Sequence, residues 1–85
     1  MYKHSLELSK AFLRTAKKLD KKYKDILERK LGEIANDPLG AGKRLKGPFK
    51  EILAVRLNKH YRIFYKIPHK CSVHVLNIYH RESAY

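Results

Sequence analysis

Eighty-five residues, 44% of them hydrophobic, are enough for one small core, read as a single domain over residues 1–85, and leave little room for a second module. Twenty Lys and Arg against eight Asp and Glu give a formal charge of +12, a self-repulsion that points to a polyanionic partner: nucleic acid, an acidic protein or an anionic membrane. The lone Cys71 rules out an internal disulfide and the paired-cysteine metal sites; with no long apolar run and no leader pattern in MYKHSLELSK, the expectation is a cytoplasmic protein with no membrane span.

Residues 2–8 alternate His4, Leu6 and Leu8 with Lys3, Ser5 and Glu7, the period of a half-buried strand. Ser9 can cap a helix in which Phe12, Leu13, Ala16 and Leu19 recur at helical spacing opposite Lys10, Arg14, Lys17 and Lys18. A polar break at residues 20–22 separates this stripe from a second one, Tyr23, Ile26, Leu27, Leu31, Ile34 and Ala35. Asn36-Asp37-Pro38 ends it, because proline cannot continue a helix. The two stripes predict a helical hairpin. Residues 38–48, PLGAGKRLKGP, hold most of the glycine and two of the three prolines and read as a loop. Strand-like runs follow at 51–57, 61–67 and 72–79, with connections short enough for antiparallel hairpins. The predicted fold is α+β in the order β-α-α-β-β-β, the helical hairpin covering one face of a small twisted, mainly antiparallel sheet.

Alternation assigns the faces. Leu53, Val55 and Leu57 oppose Ala54 and Arg56; Tyr61, Ile63, Tyr65 and Ile67 oppose Arg62, Phe64 and Lys66. Leu76 and Ile78 are expected on the helix-covered face with Leu6, Leu13, Ile26, Leu27 and Ile34. Asn77, Tyr79 and Arg81 are expected on the open face with Arg56 and Arg62. Basic residues concentrate here too: between residues 38 and 81, Lys43, Arg44, Lys46, Lys50, Arg56, Lys59, Arg62, Lys66, Lys70 and Arg81 meet a single acid, Glu51.

Clustered arginines suit a phosphodiester, because their planar donors match phosphate oxygens and favour the added negative charge of a pentacovalent transition state. The shortage of carboxylates in this half argues against metal-dependent cleavage. For RNA the metal-free route is attack by the 2′-hydroxyl on the adjacent phosphate, which needs a base, cationic stabilisation and an acid for the leaving 5′-oxygen. His80 titrates in the right range, yet a histidine at a strand end is also ordinary edge filler. Tyr85 could stack on a splayed base or simply pack on the sheet. Phe64 reads equally as a stacking platform or as apolar surface for a protein partner. Lys43, Arg44, Lys50, Lys59 and Lys66 are candidates for steering an RNA backbone, or solvated cations. His4, His60, His69 and His74 lack a metal-ligand spacing, and no cofactor motif appears.

The run RLKGPFKEILAVRLNKHYRIFYKI followed by VHVLNIYHRESAY resembles the RelE/ParE toxin superfamily. The shared elements are Leu45-Lys46-Gly47 in the loop, the strand Leu53 to Leu57, Tyr61-Arg62-Ile63-Phe64-Tyr65, and His80-Arg81 with Tyr85. The resemblance covers the whole chain. It implies a RelE-like fold, a toxin of a type II toxin–antitoxin pair and, in the RelE-like branch, cleavage of messenger RNA in the ribosomal A site. It also implies an acidic RelB-like antitoxin, a ribosomal partner with messenger and ribosomal RNA, and a toxin–antitoxin hetero-oligomer. Arg62 falls on the arginine associated with transition-state stabilisation, Arg81 on the one associated with the leaving group, Tyr85 on the tyrosine that orients substrate, and Arg56 on a basic strand position. Ala54 stands where some relatives carry a second basic residue, so Lys46, His80 and Arg56 all stay open as the general base. The ParE branch shares the fold and acts on DNA gyrase instead.

Overall fold

Strand β1, Ser5–Leu8, leads into helix α1, Lys10–Lys18, in a computed structural model that describes residues 4–80. Ser9 starts the helix as its sequence demands. Its backbone is extended and its Oγ accepts the Phe12 N–H at 2.9 Å, satisfying one of the donors that a helix start leaves over. The polar break folds as a 3-10 turn, Lys21–Tyr23, capped by Asp20, and helix α2 follows over Lys24–Asn36.

The stretch read as a loop is more ordered than its composition suggests. Asp37 accepts the Gly40 N–H at 3.2 Å and Pro38 occupies the first turn of a short helix, α3, Pro38–Ala41, an arrangement proline favours because its missing N–H costs nothing there. Strand β2, Lys43–Arg44, and a 3-10 turn, Gly47–Phe49, come next. Then β3, Ile52–Arg56, β4, Tyr61–His69, and β5, Ser72–His80, complete a sheet in the order β1-β5-β4-β3-β2. The β2 residues pair with Ala54 and Leu53. Two residues are too few to show alternation, so this fifth strand left no pattern in the sequence. β1 lies parallel to β5 and the remaining pairs are antiparallel; the helices supply the long crossover that a parallel pair needs.

Phe12, Leu27 and Ile34 from the helices meet Leu53, Val55, Ile63, Tyr65, Val73, Val75 and Ile78 from the sheet, with Leu57 just past β3. Two expectations fail here. Leu13 is 45% exposed rather than core, because Phe12 and Ala16, one turn apart, define the buried face of α1 and Leu13 lies about 100° around the helix from Phe12. Leu76 does not join the helix-covered face either. Phe64 pairs with Asn77 but Tyr65 with Val75, so Leu76 is the extra residue of a β-bulge, and strand parity inverts across it. Val75 before it and Ile78 after it are both buried in the core. Ser9 stabilises this irregularity. Its N–H donates to the Val75 carbonyl at 3.1 Å and its hydroxyl to the Leu76 carbonyl at 2.5 Å. Among the described residues no helix is long and apolar enough to cross a membrane.

Candidate nucleic-acid interface

The chain between α3 and β3 adds the edge strand β2 to the sheet and, together with residues of β3, β4 and β5, lines one groove. Its anchor is Tyr65, a core residue of β4 whose hydroxyl donates to the Pro38 carbonyl at 2.6 Å. Burial and the nearby Asp37 carboxylate push this phenol up to about 12, against a smaller opposing effect of a hydrogen bond from the Gly42 backbone. Gly42 is held so close that a Cβ there would lie 2.6 Å from the Tyr65 Oη and 2.7 Å from the Ala54 carbonyl oxygen. Further along, the Leu45 N–H donates to the Ile52 carbonyl at 2.9 Å and Arg44 Nη1 to the Lys50 carbonyl at 3.2 Å. Gly47 then turns the chain at φ +70°, a conformation that costs glycine least.

Between this segment and the sheet lies a groove of about 1130 Å³. Lys43, Arg44, Leu45, Lys46 and Phe49 line it from the loop; Ala54, Arg56, Arg62, Phe64, Leu76 and Tyr79 line it from the sheet. Arg56 pairs with Arg62, and Arg62 with Tyr79, so three adjacent strands present two guanidiniums and a phenol in one row. The turn beside them is fixed by Asn58, whose Oδ1 accepts the N–H groups of His60 at 2.7 Å and Tyr61 at 2.9 Å. No Asp or Glu lines the groove, and among the described residues the ion pairs, Lys30–Glu33 and His74–Glu7, involve neither arginine. Like charges in directly opposed positions repel. An anion placed between them removes that repulsion, and a phosphate fits the forked donors.

Residues 6–85 match the family model described as ParE toxin of type II toxin–antitoxin system, parDE. The chain belongs to the RelE/ParE superfamily of type II toxins. A comparison with curated proteins returns no match. Among solved structures, this toxin is similar to the intact Escherichia coli RelBE toxin–antitoxin complex, at 26% identity, covering 88% of this chain and 93% of that one with a TM-score of 0.71. It is similar to a RelBE toxin–antitoxin complex of Mycobacterium tuberculosis, at 24% identity, 92% and 98% coverage and a TM-score of 0.78. An archaeal RelE–RelB complex from Pyrococcus horikoshii aligns at 17% identity, covering 96% of this chain and 99% of that one with a TM-score of 0.78. The helical hairpin on a mainly antiparallel sheet, expected from the sequence, is the fold these structures share.

The groove of the toxin gathers part of the residue set that the sequence singled out. Lys46, Arg56 and Arg62 line it together, with Lys43 and Arg44 on its rim. Phe64 lines it as well, but only 6% of the residue is exposed and its ring meets Tyr79 edge-on at 5.1 Å, so it is a supporting residue more than an open platform. His80 stands apart. It pairs with Tyr61, next along β5 from Tyr79 and therefore on the other side of the sheet; its ring lies 5.4 Å from Tyr61 and stacks 5.9 Å from His60. Lys50 and Lys59 are exposed outside the groove, Lys59 in the β3–β4 turn. Lys66 borders a separate depression with Glu51 and Arg44. Arg81 and Tyr85 lie outside the described residues. Among the described residues no three His, Cys, Asp or Glu side chains are grouped to hold a metal. Sequence reasoning did not single out Tyr79, Phe49, Leu45 or Leu76 as site residues. Tyr79 was findable, since it shares the parity of Arg81; Leu76 was hidden by the bulge.

Proposed function

We propose that the toxin is a ribosome-dependent endoribonuclease that cuts messenger RNA in the ribosomal A site. The observation that carries this reading is the opposed pair Arg56 and Arg62 in a groove lined by Lys46 and by no carboxylate. In the proposed reaction the 2′-oxygen attacks the adjacent phosphorus, the bond from phosphorus to the 5′-oxygen breaks, and a 2′,3′-cyclic phosphate and a 5′-hydroxyl result. Arg56 and Arg62 hold the non-bridging oxygens and stabilise the charge of the pentacovalent state. Of the three candidates for the base, His80 faces away from the groove, and Arg56 is excluded because a guanidinium keeps its proton in proteins. Lys46 is therefore assigned the 2′-hydroxyl proton as the one of the three that lines the groove and is not a guanidinium. Arg81 and Tyr85 enter through the family resemblance, Arg81 offsetting the charge on the leaving 5′-oxygen, which takes its proton from water, and Tyr85 against the substrate. An acidic RelB-like antitoxin is the proposed neutralising partner, and its complex with the toxin the resting assembly.

Primer extension on messenger from a translating-ribosome system tests this. New 3′ ends that depend on both toxin and ribosomes are expected, with 2′,3′-cyclic phosphate termini. The second reading, inhibition of DNA gyrase, is favoured by the ParE description of the matching family model. Intact messenger together with gyrase-linked DNA breaks would establish it and sink the ribonuclease.

A further inference from the structure

We propose that Tyr79, with Phe49 from the loop wall, forms a nucleobase-binding subsite beside the phosphate held by Arg56 and Arg62. This rests on the phosphate reading of the groove and adds to it the part of the substrate that carries sequence information. Tyr79 is the residue paired with Arg62 across the β4–β5 ladder, so the phenol and guanidinium emerge from directly opposed positions, Cβ atoms about 5 Å apart. That is the scale on which a nucleotide separates its base from its phosphate. Tyr79 is 41% exposed and Phe49 57% exposed, and both line the one groove. The rings of Phe64 and Tyr79 meet edge-on at 5.1 Å, a contact that positions the Tyr79 ring while much of the residue stays exposed. The occupant is specified by charge: Lys43, Arg44 and Lys46 rim the same groove and no carboxylate does, which favours a polyanion whose apolar parts are flat rings. Single-stranded RNA has that chemistry, and aromatic stacking with a basic groove is how it is commonly held.

The test uses labelled toxin and ribosomes programmed with one of two oligoribonucleotides, both methylated at every 2′-oxygen of the A-site codon so that neither can be cleaved, one intact and one lacking the bases of that codon. Anisotropy at fixed salt is read for wild type, Tyr79→Ala, Tyr79→Phe, Phe49→Ala and Arg62→Ala. Tyr79→Ala is expected to weaken binding to ribosomes with the intact oligomer about tenfold and leave binding with the base-free one unchanged, Phe49→Ala to act in the same direction, and Tyr79→Phe to keep wild-type binding. Arg62→Ala should weaken both. If Arg62→Ala weakens both while Tyr79→Ala weakens them equally or not at all, the ring braces the fold or meets a protein partner, and the base subsite is overturned with the phosphate reading intact. If wild type binds ribosomes with neither oligomer, or Arg62→Ala changes neither, the phosphate reading falls and the subsite falls with it.

Discussion

Arg56 and Arg62 stand directly opposite each other across the β3–β4 ladder. The toxin thus holds two like charges in a position that works against folding, which is the pattern of a site kept for a ligand at the expense of stability. Arg56→Ala is expected to leave denaturant stability unchanged or raise it by about 0.5 kcal/mol, while growth arrest on induction is lost. Arg62→Ala should reduce cleavage by about 100-fold or more, the scale of removing one donor to a developing oxyanion. A stability loss in Arg56→Ala large enough to explain the loss of arrest would show that the pair is structural.

Tyr65 gives the fold an alkaline limit. Its phenol is raised from 10.0 to about 12 in the folded chain, so the folded state keeps a proton that the unfolded state releases. This contribution is therefore fully present below pH 10 and is lost as pH rises through about 12. The whole loss amounts to about 3 kcal/mol by linkage. Spectrophotometric titration should show a phenol ionising near pH 12, and Tyr65→Phe should abolish that step. At neutral pH the same variant should cost about 1–3 kcal/mol, because the Pro38 carbonyl loses its donor. A titration unchanged by Tyr65→Phe would refute the assignment.

What the sequence made legible were the features set by regular periodicity. The stripes of α1 and α2, the cap at Ser9, and the shared face of Arg56 and Arg62 all follow from periods of 3.6 and 2 over several residues. Features made by departures from periodicity were not legible. Alternation carried straight through the bulge places Leu76 on the helix-covered face, and the device that permits the bulge, the Ser9 hydroxyl on the Leu76 carbonyl, joins residues far apart in the chain. Leu13 belongs to the apolar stripe but not to the core, because the stripe is wider than the strip of α1 that is covered. The loop concealed β2 and the groove wall, since their geometry depends on Tyr65 and Gly42 meeting from separate elements. Tyr79 is an intermediate case, its face readable from parity and its role only from the groove.

Gly42 tests whether the groove depends on how closely the loop can lie on β3. Its φ of −132° is open to any residue, so the need for glycine is one of space. The contacts a Cβ would make, 2.6 Å to the Tyr65 Oη and 2.7 Å to the Ala54 carbonyl oxygen, are too short for real atoms, and the backbone oxygen belongs to a paired strand. Gly42→Ala should therefore lift the loop and cost about 1–3 kcal/mol, the usual range for overpacking. Cleavage should fall although Arg56 and Arg62 are untouched, because Lys43 and Lys46 move with the loop. Removing the Tyr65 oxygen relieves only one of the two contacts. The double variant Gly42→Ala with Tyr65→Phe should accordingly be less destabilised than the sum of the single changes, by the coupling expected of residues in contact, and still below wild type. Strict additivity in that cycle would show that Gly42 and the Tyr65 hydroxyl do not share the space through which the core fixes the loop.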